Sequence, residues 1–249
     1  IINPHMVPYS VDTDAAMQKW LHLKNTLELL GIKVEVIDQE EGVPDMVFAT
    51  DQGIVQNNEV VLANFKFDQR KKERPYYREW FRNNGFKLRA LSNIFPFEGG
   101  DTLFMGEKLY VGTGFRASMD SCQELSRKLD IETIGLELVN PKFYHLDTCF
   151  LPINDNAAFY YPPAFTKESL NLLQDTIQNL YELTENETNG FAANSFVTGD
   201  KIIIQANLDS FKTKLEKLGK KVHIVDVSEY NKAGGGIHCL INTLETEES

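Results

Sequence analysis

The segment Ala233-Gly234-Gly235-Gly236-Ile237-His238-Cys239-Leu240 decides how the rest of the chain is interpreted. Three consecutive glycines give the backbone conformational freedom and allow another part of the protein to approach closely. The residues after them predict a strand from Ile237 to Leu244, with Cys239 near its start. A thiol directly after a glycine turn is either an exposed nucleophile or an inert cysteine of the core, and this segment alone leaves both possibilities open.

Outward from this segment, the chain repeats a unit in which a helix ends at a glycine and continues into a strand. The pattern occurs three times with a clear glycine stop: Met17 to Leu30 before Gly31 and Lys33 to Ile37, Tyr76 to Asn84 before Gly85 and Phe86 to Leu91, and Phe211 to Leu218 before Gly219 and Val222 to Val227. Two further helices, without that stop, are predicted near Met119 to Leu129 and Lys167 to Leu180.

Each unit continues with two strands joined by a turn whose residues accept hairpin geometry. The four predicted pairs are Met46 to Val55 with Glu59 to Phe65, Thr102 to Phe104 with Lys108 to Gly112, Phe143 to Ile153 with Ala157 to Tyr161, and Ala192 to Val197 with Lys201 to Gln205. The strand at Cys239 begins a fifth unit, and Ile1 to Val7 is the candidate partner that completes it. Five such units predict an α/β fold, a five-bladed α/β propeller closed by the N-terminal segment. The alternative is an irregular α/β domain.

Composition narrows the class of protein. The 249 residues predict a single domain, 1–249, with an acidic tail at Glu245 to Ser249. A net charge of −11 argues against nucleic acid as a partner, and no apolar run is long enough for a membrane span. The three cysteines lack metal-ligand spacing, and their odd number favours a reduced, cytoplasmic setting.

Polar residues recur where each predicted strand pair opens, at positions where a core strand would be apolar. They are Asp51, Glu98, Asp101, His145, Asp147, Asn194 and Cys239. Equivalent positions of a closed ring converge on its axis, so these side chains are predicted to share one pocket. On a strand, His145, Asp147 and Cys149 would face the same side, which makes Cys149 a second candidate thiol. His238 would face away from Cys239 and is predicted to be structural.

The residue types define a chemistry. A thiolate nucleophile needs a base or a cationic neighbour, and His145 can serve as that partner and carry protons. Several carboxylates in one pocket repel each other unless a cation joins them. A guanidinium is planar, permanently charged and able to donate paired hydrogen bonds to carboxylates. The set therefore indicates thiol attack on a guanidinium carbon.

Three motifs carry a resemblance to a known superfamily: Phe97-Glu98-Gly99-Gly100-Asp101, Tyr144-His145-Leu146-Asp147-Thr148 and Gly234-Gly235-Gly236-Ile237-His238-Cys239. Together they resemble the guanidino-group-modifying enzymes, or penteins, over essentially the whole chain. That superfamily includes arginine deiminases, dimethylarginine dimethylaminohydrolases, agmatine deiminases and amidinotransferases on a five-bladed α/β propeller. Pro44 to Phe48 and Phe143 to Phe150 are most similar to the arginine dihydrolase and amidinotransferase-like branch.

The resemblance implies a role for each matching residue. Cys239 would be the nucleophile, His145 the general acid and base, and Glu98 the residue that holds the guanidinium and orients His145. The implied substrate-binding residues are Asp51, Asp147, Asp101, Arg116, Arg70, Asn194 and Asn3. For Arg116 and Arg70 the alternative is a solvated surface arginine, and for Asn3 and Asn194 a turn or cap residue. Cys122 is predicted to be structural. No metal or organic cofactor is implied, and analogy suggests a homodimer.

Two positions depart from individual branches of the superfamily. The dimethylaminohydrolases usually have no acid at the position of Asp147, where methyl groups need room, so Asp147 favours an unmethylated guanidinium. The dihydrolases usually have asparagine at the position of Asp51, so Asp51 favours a deiminase that stops at citrulline and ammonia. The alternatives are a dihydrolase giving ornithine, a dimethylarginine dimethylaminohydrolase, an amidinotransferase and a non-catalytic binder of arginine-like ligands. A single histidine among His145, Asp147 and Glu98 argues against a metal hydrolase.

Overall fold

A computed structural model describes residues 3–89 and 95–244. The predicted tail at Glu245 to Ser249, Ile1–Ile2, and the end of the strand predicted from Phe86 lie outside the described residues. The helices within them are α1 (Thr13–Leu29), α2 (Asp68–Lys71), α3 (Arg74–Asn83), α4 (Met119–Leu129), α5 (Lys167–Thr176), α6 (Glu185–Asn189), α7 (Asp209–Lys217) and α8 (Ser228–Asn231). No described helix is both long and apolar enough to cross a lipid bilayer.

Twelve strands in the described residues form four small sheets of three strands each. They are β1 (Gly53–Gln56), β2 (Glu59–Leu62) and β3 (Lys87–Arg89); β4 (Thr102–Met105), β5 (Lys108–Thr113) and β6 (Glu132–Glu137); β7 (Phe150–Asn154), β8 (Ala157–Tyr160) and β9 (Asn179–Glu182); and β10 (Phe196–Thr198), β11 (Lys201–Gln205) and β12 (Lys221–Val225). In every sheet the first two strands are an antiparallel hairpin, and the third pairs in parallel with the second.

A helix connects the second and third strand of each sheet, as a parallel crossover requires. The repeat of helix, strand and hairpin that the sequence predicts is therefore present four times. The turn chemistry is also confirmed, because Asn57 and Asn58 have φ angles of 51° and 59°, and Gly199 has 56°. Apolar side chains fill the space between neighbouring units; Leu136 and Phe150, for example, are both fully buried in one cluster.

Three of the predicted hairpin strands, those from Met46, Phe143 and Ala192, are too long at their N-terminal ends, whereas the strand predicted from Thr102 begins where β4 does. Tight 3-10 turns precede three of the hairpins, at Ala49–Gln52, Gly99–Asp101 and Leu146–Thr148. His145 and Asp147 therefore lie on a turn rather than on one face of a strand. The prediction failed here because the turn closes through local bonds, such as that from Thr148 N–H to His145 O at 3.2 Å, in place of a sheet ladder.

The fifth unit also differs from the prediction. No strand forms within Lys33–Ile37, within the described residues 3–7, or between Ile237 and Leu244; the last of these contains a 3-10 turn at His238–Leu240. Its backbone donors bond to another unit, since His238 N–H donates to Asn194 O at 3.0 Å. The N-terminal segment does reach this unit, where Val7 N–H donates to Lys232 O at 3.3 Å.

Candidate active site

The turn at Glu98-Gly99-Gly100-Asp101 is held by one of its own acids. Glu98 N–H donates to Asp101 Oδ2 at 2.9 Å, so Asp101 shapes the turn that presents Glu98. Burial, together with the charges of Glu98 and Asp51, raises the pKa of Asp101 well above its ordinary value, although His145 opposes the shift. Asp101 does not line the cavity described below, and its predicted role at the substrate stays a prediction.

Gly100 allows three functional groups to meet. A Cβ atom at this position would lie 2.6 Å from Asp51 Oδ1 and 2.8 Å from His145 Nδ1. Both distances are shorter than van der Waals contact, so only glycine fits here. The Gly100 N–H also donates to Asp51 Oδ1 at 3.2 Å, which fixes that carboxylate beside the imidazole.

His145 is held between two carboxylates. Its Nε2 lies 3.0 Å from Glu98 Oε2, and its Nδ1 lies 3.6 Å from Asp51 Oδ1. Burial lowers the pKa of His145, but the charges of Asp51 and Asp101 and the hydrogen bond to Glu98 outweigh burial and raise it to about 9. Burial raises the pKa of Glu98, yet the hydrogen bond and charge of His145 and the charges of Arg70 and Arg116 bring it down to about 2. At neutral pH the pair is therefore an imidazolium with a carboxylate.

Arg70 is a buried organiser of the acids, not a surface residue. Its Nη1–H donates to Asp51 Oδ2 at 2.6 Å, and its Nε–H and Nη2–H donate to the two oxygens of Glu73 at 3.0 and 2.9 Å. Nη1 also lies 3.5 Å from Glu98 Oε2. The bidentate pairing with Glu73 is one of the strong forms of ion pair. These contacts engage the guanidinium of Arg70 within the protein, and its predicted role as a second ligand of a substrate carboxylate stays a prediction.

Arg116 is also buried, which overturns the alternative of a solvated surface position. Its guanidinium carbon lies 4.2 Å from the centre of the Phe67 ring and 4.7 Å from that of Tyr144, so it is held between two aromatic faces. Arg116 Nε lies 4.0 Å from Glu98 Oε1, beyond hydrogen-bond range. The guanidinium thus lies at the cavity without direct hydrogen bonding to that oxygen.

Cys239 is held by residues of two other units. Asn194 Oδ1 accepts from Cys239 N–H at 3.2 Å, and Asn194 Nδ2–H donates to the sulfur at 3.1 Å. The sulfur also lies 3.4 Å from Asp147 Oδ2. Burial raises the pKa of the Cys239 thiol well above its ordinary value, and the charges of Asp147 and Asp51 raise it further. In the protein as described, this thiol is therefore neutral at neutral pH.

Cys149, the second candidate thiol, and Asn3, a predicted amide of the site, lie in different environments. Cys149 is fully buried within an apolar cluster, and burial raises its thiol pKa well above the ordinary value, so it is a core cysteine. Asn3 donates from Nδ2 to Ala233 O at 3.0 Å and packs against Gly234, whose φ of +94° suits glycine. A Cβ at Gly234 would lie 2.6 Å from Asn3 Oδ1.

A small cavity with a volume of about 10 Å³ brings the predicted residues together. Six of them line it: Asn3, Asp51, Arg70, Arg116, His145 and Cys239. Glu98 contacts this group through His145, and Asp147 and Asn194 contact it through the Cys239 sulfur. The structure thus brings these nine predicted site residues together, and Asp101 contacts the backbone of one of them, Glu98.

Sequence reasoning missed four residues at this site. Asp45, Phe48 and Tyr144 line the cavity, and burial raises the pKa of Asp45 above its ordinary value. His238 was placed on the opposite face, yet its Nδ1 lies 2.9 Å from Asp147 Oδ2. The strand assumption caused this error, because on a 3-10 turn neighbouring side chains are not opposed. The available signals were the six-residue spacing of Asp45 from Asp51 and the adjacency of His238 to Cys239.

Comparison with known proteins identifies the family to which this fold and site belong. Residues 6–246 match the family described as N,N dimethylarginine dimethylhydrolase, eukaryotic. The chain is 32% identical over 240 residues to the N(G),N(G)-dimethylarginine dimethylaminohydrolase of Mycobacterium tuberculosis, covering 96% of this chain and 79% of that protein. It is 36% identical over 247 residues to the bifunctional arginine dihydrolase/ornithine cyclodeaminase ArgZ of Synechocystis. This match covers 96% of the chain but only 35% of the length of ArgZ.

A solved crystal structure resembles the chain over nearly its whole length. The crystal structure of the N-terminal domain of ArgZ, a cyanobacterial arginine dihydrolase, in a cysteine-to-serine mutant bound to substrate, has a TM-score of 0.94 with 35% identity. The match covers 99% of this chain and 93% of that one. The likeness confirms the predicted five-bladed α/β propeller.

Fold and site together define a cysteine-dependent hydrolase of guanidino C–N bonds, within the pentein branch that the motifs indicate. The chain belongs to the dimethylarginine dimethylaminohydrolase family.

Proposed function

We propose that the chain is a deiminase that hydrolyses the unmethylated terminal guanidinium of a free arginine-like amino acid. With arginine the products are citrulline and ammonia. The observation that carries this proposal concerns Glu98 Oε1 and Asp147 Oδ1, which are two of the three buried carboxylate oxygens that accept no hydrogen bond from any described residue. Such oxygens are costly unless a ligand supplies donors.

The charge of the site supports a guanidinium as that ligand. Asp51, Glu98 and Asp147 are almost fully buried, and a planar cation with several N–H donors can satisfy two carboxylates at once. One carboxylate oxygen of Asp51, one of Glu98 and one ring nitrogen of His145 also lie within 4.8 Å of one another, a spacing that metal ligands can have. Arg70 already places a positive charge 2.6 Å from Asp51 and 3.5 Å from Glu98, which disfavours a divalent cation there.

The first half of the reaction uses the neutral thiol. The substrate cation offsets the charges of Asp147 and Asp51, which are among the causes of the raised Cys239 pKa, and so favours release of the thiol proton to solvent as the substrate binds. The thiolate attacks the guanidinium carbon and forms a C–S bond. The His145 imidazolium gives its proton to the departing nitrogen, the C–N bond breaks, and ammonia leaves a covalent amidino-thioether.

The second half returns the enzyme to its starting state. His145, now neutral and still held by Glu98, takes a proton from water, and the hydroxide attacks the same carbon. Collapse of the tetrahedral species breaks the C–S bond and releases a ureido product with the Cys239 thiolate, which regains its proton. Positioning of the reactants and the fixed carboxylates provide much of the rate enhancement.

The cavity also favours an amino acid over a simple amine. Arg116 supplies a positive group for a substrate carboxylate, and Asp45 supplies an acid for a substrate amine. Agmatine lacks the carboxylate that would use Arg116. A methylated arginine is the second candidate, favoured by the family match, although Asp147 leaves an acid where methyl groups would need room.

Product analysis tests the proposal. The protein is incubated with L-arginine, and the products are separated by mass, with Cys239→Ser as the inactive control. Citrulline and ammonia in equal amounts support a deiminase, whereas ornithine supports a dihydrolase. Turnover of dimethylarginine but not of arginine would instead identify a dimethylaminohydrolase. Product formation that requires an added amine acceptor would indicate amidino transfer. Binding of arginine without any turnover, or full turnover by Cys239→Ser, would contradict the mechanism.

A further inference from the structure

His238 contacts the same carboxylate oxygen as the thiol. Asp147 Oδ2 lies 2.9 Å from His238 Nδ1 and 3.4 Å from Cys239 Sγ, while Asp147 Oδ1 accepts no hydrogen bond from any described residue. The two oxygens of one buried carboxylate are therefore used differently. One is shared by the imidazole and the thiol, and the other remains available for a donor that the described chain does not supply.

The His238 ring is reached from a different side of the protein than the thiol. It lines a groove formed by the openings of the four hairpins, with contributions from Gly53, Thr102, Leu151 and Ser195. This groove and the cavity of Cys239 have no lining residue in common. Among the described residues that line the groove, His238 is the only titratable one. The His238 side chain retains 20% of its exposure, compared with 1% for Asp147.

The hydrogen bond to Asp147 also determines which nitrogen of the His238 ring carries a hydrogen. A carboxylate only accepts hydrogen bonds, so the imidazole nitrogen that faces the Asp147 carboxylate carries a hydrogen. Nδ1–H is then the donor to Oδ2. Among the described residues, Asp147 is the one charged group that forms a hydrogen bond or ion pair with the His238 ring; on the thiol side, Asp147 and Asp51 are the acids whose charges act on Cys239.

We propose that His238 is a positioning residue of this active site. Its Nδ1–H holds Asp147 Oδ2 beside the Cys239 sulfur, and this orientation leaves Oδ1 directed to a guanidinium donor. The inference rests on the proposed function for the role of Oδ1, but the part that concerns the thiol is independent of which substrate is used. A donor on Asp147 draws off part of its negative charge and thereby makes ionisation of the neighbouring thiol easier.

The first test follows the thiol without any substrate. Alkylation of Cys239 by iodoacetamide is measured against pH by peptide mass spectrometry, which separates Cys239 from Cys122 and Cys149. We expect His238→Ala to move the pH midpoint of alkylation upward by about one unit. His238→Asn, whose side-chain amide can place an N–H near the position of Nδ1, should restore most of the shift. His22→Ala, on the exposed side of α1, is the matched control and should leave the midpoint unchanged.

The second test uses turnover of the substrate identified by product analysis. His238→Ala should lower kcat/KM roughly tenfold to a hundredfold, with partial recovery in His238→Asn. His238→Gln, which places its amide one bond further away, should not recover. Unchanged alkylation in His238→Ala, or equal losses in all three variants, would overturn the positioning role even if citrulline is formed. A shifted midpoint in a protein that does not hydrolyse arginine would support the positioning role and overturn only the proposed function.

Discussion

Arg70 and Asp51 form an ion pair of 2.6 Å inside the protein, and each side chain retains no more than 5% of its exposure. The same guanidinium is paired with Glu73, and its Nη2–H also donates to Asp45 O at 3.0 Å. The cluster of acids at the substrate cavity therefore already includes one positive charge from the protein itself, the guanidinium of Arg70. Arg70 fixes Asp51 on the side away from His145, which leaves the Oδ1 atom of Asp51 directed to the imidazole and Gly100.

Removal of Arg70 should destabilise the whole site. Arg70→Met leaves Asp51 and Glu73 buried without their partner, and loss of one member of a buried pair costs about 3–5 kcal/mol of unfolding free energy. Urea unfolding at neutral pH measures the change. Arg78→Ala, on the exposed side of α3, is the matched control and should stay within about 0.5 kcal/mol. Similar stabilities for the two variants would show that the Arg70 pairs contribute little.

Gly100→Ala should abolish activity through the displacement of two functional groups. The added methyl group would meet Asp51 Oδ1 and His145 Nδ1 at less than 3 Å, so both must move. Gly219→Ala gives the opposite pattern: nothing lies within 4 Å of the added methyl group, but its φ of +80° strains an alanine by about 1 kcal/mol. Paired kinetics and thermal unfolding should show lost turnover in the first variant and reduced stability with normal turnover in the second.

The protonation of His145 predicts how stability depends on pH. Its folded-state pKa of about 9 exceeds the ordinary 6.5, despite burial, because of Asp51, Asp101 and Glu98. Its contribution is therefore fully present below pH 6.5 and is lost as the pH rises through 9. The difference in unfolding free energy between the wild type and His145→Gln should shrink by roughly 3 kcal/mol over that window. A difference that stays constant from pH 6 to pH 9.5 would contradict an imidazolium in the folded state.

The helices, hairpins and turns of four units could be predicted because their signals are local. Gly85 and Gly219 end helices with positive φ angles, and Asn57-Asn58 forms the predicted turn. The convergence of Cys239 and His145 could be predicted from the repeat, since like positions of a closed ring meet.

The site geometry could not be predicted because it depends on partners distant in sequence. Asn194 bonds the backbone and sulfur of Cys239, 45 residues away, and so replaces the expected strand. Arg70 was expected at the surface or at the substrate because single arginines are rarely buried unless paired. Its partner Glu73 lies only three residues away, but their joint burial with Asp51 is a tertiary feature.

Two of the three buried thiols, Cys239 and Cys149, should have opposite effects when replaced. Cys149→Ala removes a core side chain, so we expect a loss of about 1–2 kcal/mol of stability with nearly normal turnover. Cys239→Ala should end turnover with little loss of stability, because the thiol lies beside the carboxylate of Asp147. Urea unfolding and citrulline formation are measured on both variants. Loss of turnover in Cys149→Ala at unchanged stability would favour Cys149 as the nucleophile.

Asp51→Asn should change the products as well as the stability. Citrulline carries a neutral ureido group whose oxygen accepts hydrogen bonds, and an aspartate cannot donate to it, whereas an asparagine amide can. The resemblance to the dihydrolases, which usually have asparagine here, leads to the same expectation. We therefore expect the wild type to stop at citrulline and the variant to convert a measurable fraction to ornithine, with a lower overall rate because Arg70 loses its partner. Labelled arginine followed by mass analysis distinguishes the two products. Because Asp51→Glu keeps the charge and provides no donor, it should give no ornithine, and ornithine from that variant or from the wild type would contradict this account of where hydrolysis stops.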